Sequence, residues 1–151
     1  METKAKNLLD EDLSLKLFIV LTRALQSINK RVEEDIKSMG LNTTEFAVLE
    51  LIYNKGEQPI QKIGEKVLIA SSSITYVVDK LEKKKFLSRR PCPKDRRVTY
   101  ATITEEGTKF MDEVFPNHRT AIHEICSGLD SNEKEVLIQL LKKLGYQAQG
   151  L

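Results

Sequence analysis

Nine cationic side chains fall within 18 residues of this chain: Lys80, Lys83, Lys84, Lys85, Arg89, Arg90, Lys94, Arg96 and Arg97, against two acidic ones, Glu82 and Asp95. The segment carries +7, whereas the remainder, with 15 basic and 20 acidic residues, carries −5. Positive charge concentrated on an otherwise acidic body is the chemistry of holding a polyanion. Just upstream, Ser71, Ser72, Ser73, Thr75 and Tyr76 place hydroxyls at the start of an expected helix. From there they can donate to phosphates or base edges, and Thr75 and Tyr76 can also touch a thymine methyl. The plainer alternative has the serines capping the helix and Tyr76 half in the core. Lys80, Lys83 and Lys84 recur at helical spacing, which fits either a solvated face or phosphate contacts that add to the salt dependence of binding.

Other chemistry is sparse. Cys92 lies between Pro91 and Pro93, near Arg90 and Lys94. Cationic neighbours favour a thiolate, and hence reaction with oxidants or electrophilic quinones, so Cys92 is a candidate redox residue. His118 and His123 are five apart, a poor helical spacing for sharing a metal, and no cysteine or carboxylate cluster completes a tetrahedral site. No metal, no cofactor and no catalytic residue is expected. No spacing suggests a Ser/His/Asp, Cys/His or phosphate-loop catalyst, so the chain does not read as an enzyme.

Composition narrows the polyanion. With 151 residues, 40% apolar and 30% charged, the chain suits one ordered domain with a sizeable core. Aromatic residues make up 6% and tryptophan is absent, which disfavours base stacking and single-stranded nucleic acid. The opening METKAKNLLDEDLSLK lacks the features of a signal peptide, and no apolar run approaches the roughly 20 residues of a membrane span. A cytoplasmic location with no membrane partner is the expectation. Two cysteines, Cys92 and Cys126, form neither a disulfide framework nor a zinc spacing, which suits a reducing compartment.

The elements that must position these groups follow from periodicity. Apolar residues from Leu17 to Ile36 recur every three or four positions, predicting a long helix from Leu13 to about Met39 that Gly40 ends. It is longer than the domain needs internally, so part of it should pack on another chain. Asn42 or Thr43, with Glu45, caps a second helix whose Phe46, Val48, Leu49 and Ile52 make it central. Pro59 opens a short third helix, with Gly64 inside it. Ser71 is the expected cap of a fourth helix that faces Ile74, Val77, Val78 and Leu81 inward. Residues 86–90 and 98–103 read as strands joined by an exposed hairpin tip. Thr104 caps a helix that carries Pro116, and Asp130 with Glu133 caps a last, leucine-striped helix that Gly145 is expected to end. Two short helices, the second with a polar and basic outer face, followed by a hairpin wing, make a winged helix-turn-helix pattern. The fold class is mainly α with a small β-wing: six helices plus a two-stranded hairpin.

Across nearly its whole length the chain resembles the MarR family of bacterial winged helix-turn-helix repressors. The resemblance rests on ASSSITYVVDKLEKKKFL at 70–87, on Asp95-Arg96-Arg97, and on Ile103-Thr104-Glu105-Glu106-Gly107. The opening SLKLFIVLTRA and the wing RRPCPKDRRVTYATIT look most like the MhqR-type, quinone-responsive branch. The resemblance implies a homodimer on double-stranded, pseudo-palindromic operator DNA. Residues 41–107 would form the DNA-binding lobe, with 8–40 and 108–151 as the helical dimerisation region. It implies that Asp95 pairs with Arg97 and aims its guanidinium at the minor groove, while Lys94 and Arg96 meet phosphates. It further implies release by a small phenolic or quinone-like ligand, or by thiol modification. A reading from a different class is a winged-helix module that uses the same basic surface on acidic protein partners, without sequence-specific DNA binding.

Overall fold

The computed structural model describes residues 1–67 and 71–150, and at Ser71 and Ser72 it describes the backbone but not the side chains. The first helix, α1 (Glu2–Ser38), is 37 residues long, about 55 Å at 1.5 Å per residue. It begins eleven residues before Leu13, because Glu2–Asp12 supplies good helix formers without an apolar stripe that would announce them. Ile36 is its one buried residue. Gly40 follows with φ +83°, and its N–H donates to the Lys37 carbonyl, so the expected left-handed stop is present.

Helix α2 (Thr43–Lys55) is capped by Asn42 and not Thr43. The Glu45 N–H donates to Asn42 Oδ1 at 2.8 Å and the Asn42 N–H donates to Glu45 Oε1 at 3.3 Å, a complete capping box. Phe46, Val48, Leu49 and Ile52 are buried at the centre of the core. Pro59 does not open the next helix. Gln58 and Pro59 form a short strand, β1, and the helix α3 starts at Ile60 and ends at Val67. Proline has no N–H, so it can occupy an edge strand as readily as a first helical turn, and here pairing captures it. The recognition-type helix α4 spans Ser71–Lys83. Ser71 is therefore already helical where the described residues resume, not the residue before the helix, and the cap position lies outside the described residues. Ile74, Val77, Val78 and Leu81 face the core as expected.

Helix α4 ends in a Schellman motif that no sequence signal announces. The Phe86 N–H donates to the Leu81 carbonyl and the Lys85 N–H to the Glu82 carbonyl, which puts Lys85 at φ +66°, the only described non-glycine residue with positive φ. A side chain there is strained, and glycine is not. Lys85→Gly should therefore raise stability by about 0.5–1 kcal/mol, read as a higher midpoint in urea with unchanged slope. A lower midpoint would show that Lys85 makes contacts that outweigh the strain.

Strands β2 (Leu87–Pro91) and β3 (Thr99–Ile103) pair antiparallel, with Leu87 opposite Ile103 and Pro91 opposite Thr99. β1 adds to the other edge of β3, Gln58 opposite Ala101, so the sheet has three strands in the order β1-β3-β2. Helix α5 (Glu105–Ile125) runs through Pro116 without interruption, and helix α6 (Ser131–Gln149) carries the second expected capping box, Asp130 with Glu133. Gly145 does not end α6. The helix continues to Gln149 because Tyr146, Gln147 and Ala148 are tolerable helix residues and nothing crowds the site.

Polar contacts join α5 to α1 and α2. His118 Nδ1 lies 2.8 Å from Asp35 Oδ2, with its ring 4.5 Å from that of Phe46, and the Tyr53 hydroxyl meets Asp112 Oδ1 at 2.5 Å. His123, by contrast, is exposed. Burial holds the half-buried Glu50 carboxyl above the usual carboxylate range, although His118 pulls it back in part. A carboxyl raised in the folded state favours folding when protonated and loses that contribution as pH rises through its folded pKa. Glu50→Gln should thus raise the melting temperature near neutral pH, and the gain should fade as the solution is made acidic. A gain that does not depend on pH would mean that charge is not the cause.

Candidate nucleic-acid interface

One face of the molecule presents α4 and the hairpin together. On α4, Ser73, Thr75 and Tyr76 are exposed, Tyr76 at 61%. The inward stripe of Ile74, Val77, Val78 and Leu81 makes this outcome unavoidable, and the half-core alternative for Tyr76 does not hold. Ser71 and Ser72, named beside them, lie outside the described side chains. Lys80 stacks back along the same face, its ammonium 4.9 Å from the centroid of the Tyr76 ring, and the phenol holds it above the ordinary lysine range. It is charged at any physiological pH.

The hairpin tip is a preorganised cation. Asp95 Oδ1 accepts from the Arg97 backbone N–H at 3.0 Å and from Arg97 Nε at 3.2 Å, while Oδ2 accepts from Nη2 at 3.3 Å. The Val98 N–H closes the turn on the Asp95 carbonyl at 3.1 Å. An aspartate at the first position of a turn bonds the backbone two residues on, and here the same carboxylate also grips the guanidinium. Arg97 holds the Asp95 carboxyl below the usual carboxylate range, so the grip persists into mild acid. The Arg97 side chain is nonetheless 90% exposed. Its position is fixed and its outer edge is open. Gln61 of α3 donates to the Arg97 carbonyl at 3.0 Å and ties the tip to the helical lobe, a role with no signal in the sequence.

The nine cations divide into two groups. Lys80, Lys83, Lys85, Lys94 and Arg96 have no ion-pair partner among the described residues, and Lys94 and Arg96 are exposed at the tip. The others are engaged within the fold. Arg89 reaches Asp79 at 2.5 Å and Glu82 at 3.2 Å, which clamps the base of the wing to α4. Arg90 makes a bidentate pair with Glu57 at 2.7 and 3.1 Å over the Tyr100 ring. Lys84 turns inward: its ammonium lies 2.9 Å from Glu45 Oε2 and 3.2 Å from the Gly40 carbonyl. Helical spacing groups Lys84 with the candidate phosphate contacts, and in the fold its ammonium is paired with Glu45. Cys92 is a half-buried free thiol whose backbone N–H donates to Val98, and its cationic neighbour Arg90 is already met by Glu57. No metal-binding cluster occurs among the described residues, and no helix of the described residues is long and apolar enough to cross a membrane.

A second, apolar surface belongs to α1 and α6. Along α1, Leu8, Leu9, Leu13, Leu17, Phe18 and Leu25 are exposed, and α6 has no buried residue although it carries Val136, Leu137, Leu140, Leu141 and Leu144.

Comparison with known proteins agrees with this geometry. The family model described as "MarR family" matches residues 41–99. The HTH-type transcriptional regulator MhqR of Bacillus subtilis is 54% identical over 136 residues, covering 90% of this chain and 94% of its own. The transcriptional repressor MprA of Escherichia coli is 31% identical over 132 residues, covering 83% of this chain and 75% of its own. Among solved structures, Sco3205, a MarR family transcriptional regulator from Streptomyces coelicolor determined in complex with DNA, superposes with a TM-score of 0.81. It covers 89% of this chain and 90% of its own at 17% identity, which speaks to the fold alone.

Proposed function

This chain belongs to the MarR family of transcriptional regulators, and from that premise we propose that it is a repressor that binds a pseudo-palindromic duplex operator as a homodimer and lets go when a small phenolic or quinone-like compound binds or modifies it. The observation that carries the DNA-binding part is the Asp95-held Arg97, a planar and weakly hydrated cation fixed at the tip of a wing with its outer edge open. Such a group suits a narrow A·T-rich minor groove of enhanced negative potential. Ser73, Thr75 and Tyr76, with Ser71 and Ser72 before them, would meet base edges and phosphates in the adjacent major groove, and Lys80, Lys94 and Arg96 would neutralise phosphates.

The second copy is argued from the apolar faces of α1 and α6. A helix of 37 residues with one buried residue, and another with none, expose many large apolar side chains at helical spacing, more than soluble monomers usually carry. Pairing these faces about a twofold axis covers them and sets two α4 helices roughly 34 Å apart, one turn of DNA. For the effector, the cleft between α2 and α5, lined by Glu50, Phe115, His118, Arg119 and Ile122, touches both the DNA-binding lobe and the helical arm. A planar aromatic ligand there would have different affinity for two arrangements of these parts, which is what release requires. Cys92 is the alternative point of attack, by quinone addition to its thiol.

The test is a gel shift with the DNA upstream of the protein's own coding sequence, repeated after addition of a phenol or a quinone. The expected result is a discrete complex that the quinone dissolves. Failure to retard any duplex at low salt would refute the proposal, and Cys92→Ser separates ligand sensing, which survives it, from thiol sensing, which does not.

A further inference from the structure

We infer that Lys84 is a positioning residue: it carries the orientation of α1 to the end of α4 and does not bind phosphate. The inference rests on the operator-binding dimer proposed above. Two other parts of the chain, the end of α1 and the start of α2, meet at this one ammonium, which the end of α4 carries. Lys84 closes the last turn of α4, its N–H donating to the Lys80 carbonyl at 3.1 Å. Its Nζ donates to the carbonyl of Gly40, the left-handed residue that ends α1, at 3.2 Å. The same Nζ lies 2.9 Å from Glu45 Oε2 as an ion pair, and that buried oxygen has no hydrogen-bond partner among the described residues.

Glu45 makes the tie rigid. Its side chain is 5% exposed, and its two oxygens have divided tasks, Oε1 on the Asn42 N–H in the α2 capping box and Oε2 on Lys84. A carboxylate buried this deeply is costly without its counter-charge, so the pair holds together when the elements around it move. Ile36 and Leu41, buried on either side of Gly40, seat the same junction in the core. A change in the angle of α1, the helix assigned to the dimer interface, must therefore drag the C-terminal end of α4 or break the pair. Lys80 adds to the same field, since Glu45 also acts on it at longer range.

The salt dependence of binding distinguishes this role from a phosphate contact. A lysine on a phosphate contributes about 0.9 to the slope of log affinity against log salt, and a positioning lysine contributes nothing to it. The experiment uses a duplex that the unaltered chain selects from a random pool. Affinity is measured across a salt series for Lys84→Gln, Lys84→Arg, Glu45→Gln, the double variant Lys84→Gln/Glu45→Gln, and Lys94→Gln as the phosphate-contact comparison. Lys84→Gln is expected to weaken binding roughly 3- to 30-fold with an unchanged slope, and to blunt the preference between duplexes whose half-sites differ by one base pair in spacing. Lys84→Arg should restore both properties, and the double variant should be no weaker than the weaker single one. Lys94→Gln should lower the slope and leave the spacing preference alone.

A reduced slope in Lys84→Gln, unchanged affinity, or losses that simply add in the double variant would overturn the inference. A merely structural role would lower the melting temperature without moving the spacing preference, and that result overturns it too. If Lys84→Gln does not fold, Glu45→Gln and Lys84→Arg carry the same comparison. The DNA reading is judged separately. If the unaltered chain selects no duplex, that reading fails. Melting of the free protein still decides whether Lys84 and Glu45 act as one unit, because coupled residues lose stability non-additively.

Discussion

Arg97→Ala is expected to weaken operator binding by about 1–3 kcal/mol at fixed salt, roughly 5- to 150-fold, without changing the melting temperature. The side chain is 90% exposed and its one ion pair is on the surface, so the fold loses little when it goes. What goes is a guanidinium that Asp95 holds with two hydrogen bonds, while a third ties the Arg97 backbone N–H to the same carboxylate. Lysine should not rescue it, because an ammonium is a strongly hydrated point charge that cannot reproduce the planar grip. Asp95→Asn should give a smaller loss of the same kind, since the cation remains but is no longer aimed. Titration of the variants against an A·T-rich and a G·C-rich version of the same site would show the difference. If Arg97→Ala binds both as well as the unaltered protein, the wing does not reach the minor groove.

Gly107→Ala should destabilise the protein by about 3 kcal/mol, a fall in melting temperature of roughly 6–12 °C for a chain of this size. A Cβ on Gly107 would stand 2.2 Å from the Phe86 carbonyl oxygen and 2.9 Å from Ile103 Cγ1. The oxygen cannot step aside cheaply. It already accepts from the Thr104 N–H at 3.0 Å, while the Thr104 hydroxyl donates to the Lys85 carbonyl at 2.6 Å and accepts from the Gly107 N–H at 2.9 Å. The Thr-x-x-Gly spacing thus has a physical meaning. Threonine caps α5 and latches it to the end of α4, and glycine lets the two backbones come that close. Thermal unfolding measures the effect, and a melting temperature unchanged to within about a degree would rule out the close contact.

Much of this was legible because it is local. Asn42 with Glu45 and Asp130 with Glu133 declare helix starts within four residues, and the stripe Ile74, Val77, Val78, Leu81 fixes which face of α4 looks outward. The Asp95–Arg97 grip spans two residues, and the family resemblance implies it. What stayed hidden depends on distant partners or on degenerate signals. Pro59 suits a helix start and an edge strand equally, and only Tyr100, 41 positions away, decides between them. Lys85 gives no hint of a left-handed conformation, because its strain is accepted for the sake of the Schellman bonds around it. Lys84, Arg89 and Arg90 look like further members of a basic run. Their acidic partners, Glu45, Asp79, Glu82 and Glu57, separate them from it only once the chain is folded. Charge counting finds the face and overstates the number of free cations on it.

The bare faces of α1 and α6 have a consequence beyond geometry. Under the dimer proposed above, the surface that completes the fold is supplied by another molecule, so folding and assembly obey the same mass action and stability rises with abundance. A regulator built this way is sensitive to its own copy number. At low abundance a chain lacks the partner that would cover its longest helix, and it also lacks the second α4 that an operator requires. Dilution therefore removes the regulator from DNA and exposes it to turnover at the same time.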